Sequence, residues 1–140
     1  MENQQNYQQS LYQFRYLREQ REMFENQLQI VNASLGNLRT TKKTIENLKD
    51  VEEGEEILVP IGGIINVKAN IQKPEKLLLS ISDDIVAEKN LDDSLEFVEK
   101  LIEQHSEQIQ YIQERIQKID MNLQNLSQTL QAAGAQGMQG

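Results

Sequence analysis

The 140-residue chain has no cysteine and no tryptophan, and only one histidine and two prolines. The lack of cysteine excludes disulfides, thiol nucleophiles and thiolate metal sites. Aromatic residues make up 5% and apolar residues 38%. That is thin for one conventional core, so the chain is elongated or completes its core with other subunits. Basic residues are also scarce, 14 Lys and Arg against 22 Asp and Glu, for a net charge of −8. An acidic surface repels phosphate backbones and lacks the Lys and Arg of a membrane-surface helix, so neither nucleic acid nor a membrane is an expected partner. Long hydrophobic runs are missing too. The longest, ILVPIGGII at 57–65, is too short to span a bilayer. The first ten residues, MENQQNYQQS, have no signal-peptide core. A soluble, cytoplasmic protein is the simplest expectation.

Heptad periodicity dominates what is present. From Phe14, alternating steps of three and four reach Leu17, Arg21, Phe24, Leu28, Val31, Leu35, Leu38, Lys42 and Ile45. All but Arg21 and Lys42 are apolar, the a/d seam of a coiled coil. The same steps from Leu95 reach Val98, Ile102, His105, Ile109, Ile112, Ile116, Ile119, Leu123, Leu126 and Leu130, interrupted only by His105. Asn90 followed by Asp93 resembles a capping box at the start of this second helix. Two narrow stripes of similar length satisfy each other, so the helices are expected to run antiparallel, each on the order of 60 Å long. Gly36, just off the first seam, either permits a close approach or is merely tolerated, at a cost of about 1 kcal/mol.

Between the helices the period changes to two. Residues 57–61 (ILVPI) and the alternation Ile65, Val67, Ala69, Ile71 read as strands joined at Gly62-Gly63, with Pro60 demanding an edge or a bulge. After a turn at Lys73-Pro74-Glu75, Leu77, Leu79 and Ile81 form one face of a third strand. Ser82-Asp83-Asp84 turns the chain into a short fourth, Ile85-Val86-Ala87. Two such hairpins cannot cover their own faces and edges. Edge pairing among copies or related subunits, into a closed sheet or barrel, is the expected remedy. One domain over 1–140 follows: a helix over 1–50, hairpins over 57–89, a helix over 91–132 and a flexible tail over 133–140.

Catalytic signatures are absent. His105 in a seam reads as a packed polar interruption that sets register. Glu52, Glu53, Glu55 and Glu56 lack the ligand spacing of a calcium loop. Gly62-Gly63-Ile64 lacks the glycine spacing and lysine of a phosphate loop. The chain reads as no enzyme, with no cofactor and no metal. Its aromatics cluster instead, with Tyr7, Tyr12, Phe14, Tyr16 and Phe24 in the first 24 residues. Tyr12 and Tyr16 lie off the seam. That surplus suits weak contact with apolar segments, or else it closes the end of the coiled coil.

The strings ILVPIG, VKANI and VAEKN followed by DDSLEFVE, in a helix–two-hairpin–helix order, resemble the alpha-class subunit of the prefoldin family, archaeal members above all. The resemblance implies a mainly α fold with a small β part: a long antiparallel two-helix coiled coil joined by two β-hairpins that build an intersubunit β-barrel body. It implies an ATP-independent chaperone subunit, two alpha-class with four beta-class subunits. Such a complex holds unfolded client proteins at its coiled-coil tips and delivers them to a group II chaperonin. By position, Ile57, Val59, Ile61, Ile65, Val67, Ile71, Leu77, Leu79 and Ile81 would serve assembly. Tyr7, Leu11, Tyr12, Phe14, Leu126 and Leu130 would lie at the client-holding tips. The alternative is a structural or tethering coiled coil with a β assembly module and no client binding.

Overall fold

The computed structural model describes residues 2–72 and 75–138. Helix α1 spans Glu2–Leu48 and helix α2 spans Leu91–Met138, with β1 Glu56–Gly62, β2 Ile65–Asn70, β3 Lys76–Ser82 and β4 Ile85–Asn90 between them. Contacts group the chain into two units, Met1–Ser34 with His105–Gly140, and Leu35–Gln104.

In the first unit the heptad positions Phe14, Leu17, Arg21, Phe24, Leu28 and Val31 are the shielded side of α1, facing Ile109, Ile112, Ile116, Ile119 and Leu123 of α2. Val31, Ile112 and Ile119 are buried. Arg21, one of the two basic seam positions, bridges to Asp120. Ser34 and His105 meet at 3.0 Å, so the seam histidine has a polar partner on the opposite helix. Both contacts fix the helices as antiparallel.

The second unit continues the seam through Leu35, Leu38, Lys42 and Ile45 on α1 and Val98 and Ile102 on α2. Leu35, Ile45 and Val98 are buried. The ion pairs Lys42–Glu99 at 3.5 Å and Lys49–Asp92 at 2.8 Å flank this core. The hydrogen bond to Asp92 raises the Lys49 ammonium above its ordinary pKa. Ser94 is completely buried, with its hydroxyl donating to the Lys89 carbonyl at 3.4 Å. No periodicity argument singled it out. The Asn90 side chain accepts the Asp93 N–H at 2.7 Å, the cap expected from the sequence. At its other end α1 tightens, with Lys49, Asp50 and Val51 each bonding three residues back. A Cβ on Gly36 would meet nothing within 4 Å, so this glycine serves no close helix approach.

The strands form two separate antiparallel pairs, β1–β2 and β3–β4. The first turn falls at Gly63-Ile64, one residue later than expected, because Ile61 is an extra residue between the pairs Pro60–Asn66 and Gly62–Ile65. The second hairpin repeats this with Ile81 extra and a turn at Asp83-Asp84. Strand β4 runs on through Asn90, three residues beyond the expected end, because its pairing with β3 is complete to Lys76. Helix α2 continues to Met138, past the expected end at 132; the alanines at 132, 133 and 135 are good helix formers. The expected turn residues Lys73-Pro74 and the last two tail residues lie outside the described residues.

The acidic loop before β1 has a defined shape. Glu55 N–H donates to the Glu52 carbonyl at 3.2 Å, closing a tight turn with Gly54 at φ +85°. Gly54 N–H then donates to the Ile71 carbonyl at 2.8 Å, while Ile71 N–H donates to the Glu55 carbonyl at 2.9 Å. This is a type II turn interlocked with a glycine bulge. It extends the first hairpin and fixes the phase of its ladder. Counting inward, Ile57–Ala69 and Val59–Val67 exchange hydrogen bonds. The backbone groups of Leu58, Pro60, Asn66 and Lys68 therefore point to the outer edges.

Candidate functional site

Two surfaces are candidates, one on each unit. In the first unit, the start of α1 and the end of α2 flank an open pocket of about 500 Å³. Tyr7 and Leu130 supply its apolar wall, with Ser10 and Ala133 beside them and the amides of Asn3, Gln4 and Asn6 around the rim. Of the six tip residues singled out by sequence, Leu11, Phe14, Leu126 and Leu130 are half-buried between the helices. Tyr7 and Tyr12 face solvent, Tyr12 at 76% exposure. Tyr12 and Tyr16 line a second shallow groove with Asn6, Gln9, Ser10 and Gln13. Tyr16 accepts a hydrogen bond from Gln20 at 2.9 Å. The tip therefore offers an apolar notch between the helices and an aromatic ridge outside them.

Charges frame that end. The Arg18 guanidinium lies 6.0 Å from the Phe14 ring centre and Arg115 lies 5.8 Å from Phe24. Arg21 pairs with both Asp120 and Glu25. Its hydrogen bond to Asp120 raises the guanidinium pKa further. In the sequence Arg21 is one of two non-apolar residues in an otherwise apolar seam. The missed signal was Asp120, which an antiparallel register places across from it.

In the second unit the strands carry the other surface. Ile57, Val59, Ile65, Val67 and Ala69 share one face of the first hairpin, and Leu77, Leu79, Ile85 and Ala87 the matching face of the second. Ile57, Leu77 and Leu79 are half-covered, and Ile71, just past β2, likewise. Val59, Ile61, Ile65, Val67 and Ile81 are exposed. Ile61 and Ile81, expected within the facing set, are the extra residues of the bulges. Leu58, Ile64, Leu78 and Val86 add exposed apolar surface that the alternation argument passed over, Ile64 at 96%.

Among the described residues no helix is long and apolar enough to cross a membrane, and no group of three or more His, Cys, Asp or Glu could hold a metal ion.

A family model described as "Prefoldin subunit" matches residues 17–136. The "Prefoldin subunit alpha" of Thermofilum pendens is 26% identical over 109 residues, 78% of this chain and 84% of that protein. The "Prefoldin subunit alpha 1" of Thermococcus kodakarensis is 35% identical over 95 residues, 67% of this chain and 64% of that protein. A cryo-EM structure of filamentous PFD from Methanocaldococcus jannaschii shares the fold at a TM-score of 0.70 and 24% identity, covering 82% of this chain and 95% of that one.

Proposed function

The chain belongs to the prefoldin family, and from that premise we propose that it is an alpha-class subunit that holds non-native proteins at its coiled-coil tip. Prefoldin subunits are non-enzymatic chaperone components. The observation that carries the reading is the open apolar notch of Tyr7 and Leu130 beside the exposed Tyr12 and Tyr16. A helix pair needing only to close its own end would keep such side chains inside. Each contact with a client is weak. Several tips arranged around one client hold it by joint attachment, while any one contact releases quickly. No step needs a nucleotide, and transfer follows when a group II chaperonin competes for the client.

The tips are held together by the β module. The exposed strand faces support assembly with beta-class subunits, two alpha to four beta, into a barrel body. The test uses the full chain assembled with a beta-class subunit and a chemically denatured reporter protein, without ATP. The assembly is expected to suppress light scattering. Replacing Tyr7, Tyr12 and Tyr16 together by Ser is expected to raise the chaperone concentration for half-protection several-fold, with the mass of the complex unchanged. Equal protection by the triple variant would leave the structural, tethering role instead.

A further inference from the structure

Charge is nearly absent from the tip. Residues 1–14 and 121–140 carry one charged side chain between them, Glu2, in a chain that is 26% charged. Among the described residues, no charged side chain lines the notch of Tyr7 and Leu130 or the groove of Tyr12 and Tyr16. The neighbouring pocket along α1 is the opposite: Arg15, Arg18 and Arg21 line it together with Glu19, Glu22 and Glu25. The change falls between Phe14 and Arg15. Carboxamides stand where charges are missing. Asn3, Gln4 and Asn6 are exposed around the notch, and Gln9 and Gln13 beside the aromatic ridge.

Each carboxamide offers both donors and an acceptor. A folded protein has its own backbone N–H and C=O groups paired within helices and sheets, and has little to give such a rim. A non-native segment in extended form has both groups open. We propose that the tip selects uncharged, extended segments: one large apolar side chain enters the notch against Tyr7 and Leu130, and the backbone on either side of it hydrogen-bonds to the carboxamides of Asn3, Gln4 and Asn6. This rests on the reading of the tip as the client site and deepens it by naming the class of segment held. Charged neighbours of the apolar anchor are disfavoured. A carboxylate or an ammonium brought to the notch would lose water to the apolar wall and find no counter-charge there. Carboxamides read the backbone whatever its side chains, so any uncharged stretch around a large apolar residue fits. Such stretches lie inside folded proteins and come into reach when the fold opens. Salt has little hold on the contact, because screening acts on charges.

Fluorescence anisotropy of short labelled peptides with the full chain tests this. The reference peptide has a central Phe flanked by Ser and Gln, and its binding is expected to hold from low to high salt. Replacing the flanking residues by Asp, or by Lys, is expected to weaken binding about fivefold or more in either case. N-methylation of the flanking backbone removes its N–H donors, leaves the side chains alone and is expected to weaken binding similarly. Asn3→Ala, Gln4→Ala and Asn6→Ala together should bring the reference peptide down to the level of the N-methylated one, with helical circular dichroism unchanged. Gln4→Lys should make the Asp-flanked peptide bind more tightly than the Lys-flanked one. Equal binding of neutral and charged peptides would overturn the proposal. So would a triple carboxamide variant that still separates the reference peptide from the N-methylated one, or a native chain that binds no peptide. The fate of the client reading is then decided separately, by the variant with Ser at Tyr7, Tyr12 and Tyr16. If that variant loses protection of the reporter protein, the tip remains an apolar client site without this selection. If it protects as well as the native chain, the client reading falls too.

Discussion

The helix pair and the hairpins solve the same problem in opposite ways. Both are built from regularly spaced apolar residues. Along the helices, every heptad position from Phe14 to Ile45 and from Leu95 to Leu130 is at least half-covered within one chain. Along the strands, Val59, Ile65 and Val67 remain exposed although their alternation is equally regular. A helix stripe about one side chain wide is closed by one partner helix. A two-stranded sheet has two faces and two edges, and one chain of this length covers only some of them. The helices hold themselves together, whereas the strands present what other molecules cover.

The largest test of that contrast sets Ile112→Ala against Ile64→Ser. Ile112 is 2% exposed and Ile64 is 96% exposed. The first substitution should lower unfolding stability by about 2–5 kcal/mol. The second should stay within about 0.5 kcal/mol. Urea titrations at a dilution where the chain is dissociated measure both, and equal losses would break the comparison.

Two glycines sharpen it further. Gly54 is held at φ +85°, where a Cβ is strained although the surrounding space is open. Gly54→Ala should destabilise by about 1–2 kcal/mol and loosen the first hairpin, as read by amide exchange at Ile71. Gly36 is helical with open space around it. Gly36→Ala should stabilise by about 1 kcal/mol. A single residue type thus separates a turn that needs its freedom from a helix that only bears its cost.

The smallest effect concerns the ion pair at the junction of helix and strands. Lys49 has its pKa raised in the folded chain, chiefly by the hydrogen bond to Asp92. A raised pKa means stability that is fully present below the unfolded value and lost as pH climbs through the folded one, here above 10.5. Lys49→Met should therefore lower Tm slightly at about pH 7, and by progressively less as the pH rises above 10.5. A difference that survives the alkaline titration would show that packing, not charge, carries the contact.

Much of the architecture was legible because both helix seams have a strict period. The interruptions were less so. Arg21, Lys42 and His105 break the apolar series, and only the antiparallel register shows that each meets a polar group, Asp120, Glu99 and Ser34 respectively. The strand boundaries moved because Ile61 and Ile81 are extra residues. Ile61 and Ile81 are apolar and stay in phase with Val59 and Leu79, so the bulges do not show in the alternation, and Gly62-Gly63 offered the more obvious turn. Ser94 was invisible for another reason: its burial follows from the helix starting immediately after β4. At the tip, residue types announced an aromatic surplus. The division into a notch and a ridge depends on which side of α1 each tyrosine occupies relative to α2.

The two hairpins repeat at an interval of twenty residues, Glu56 pairing with Asn70 as Lys76 pairs with Asn90. Asn90 ends a strand and at the same moment caps α2, so the β part passes into the helix with no intervening loop. Asn70 holds the equivalent place one repeat earlier. The cap that launches the helix is thus written at the end of every hairpin, and only the last copy is used. Joining Asn70 to Leu91 is therefore expected to leave one hairpin with Asn70 as the cap of α2, at the loss of the Lys89 contact with the Phe97 ring.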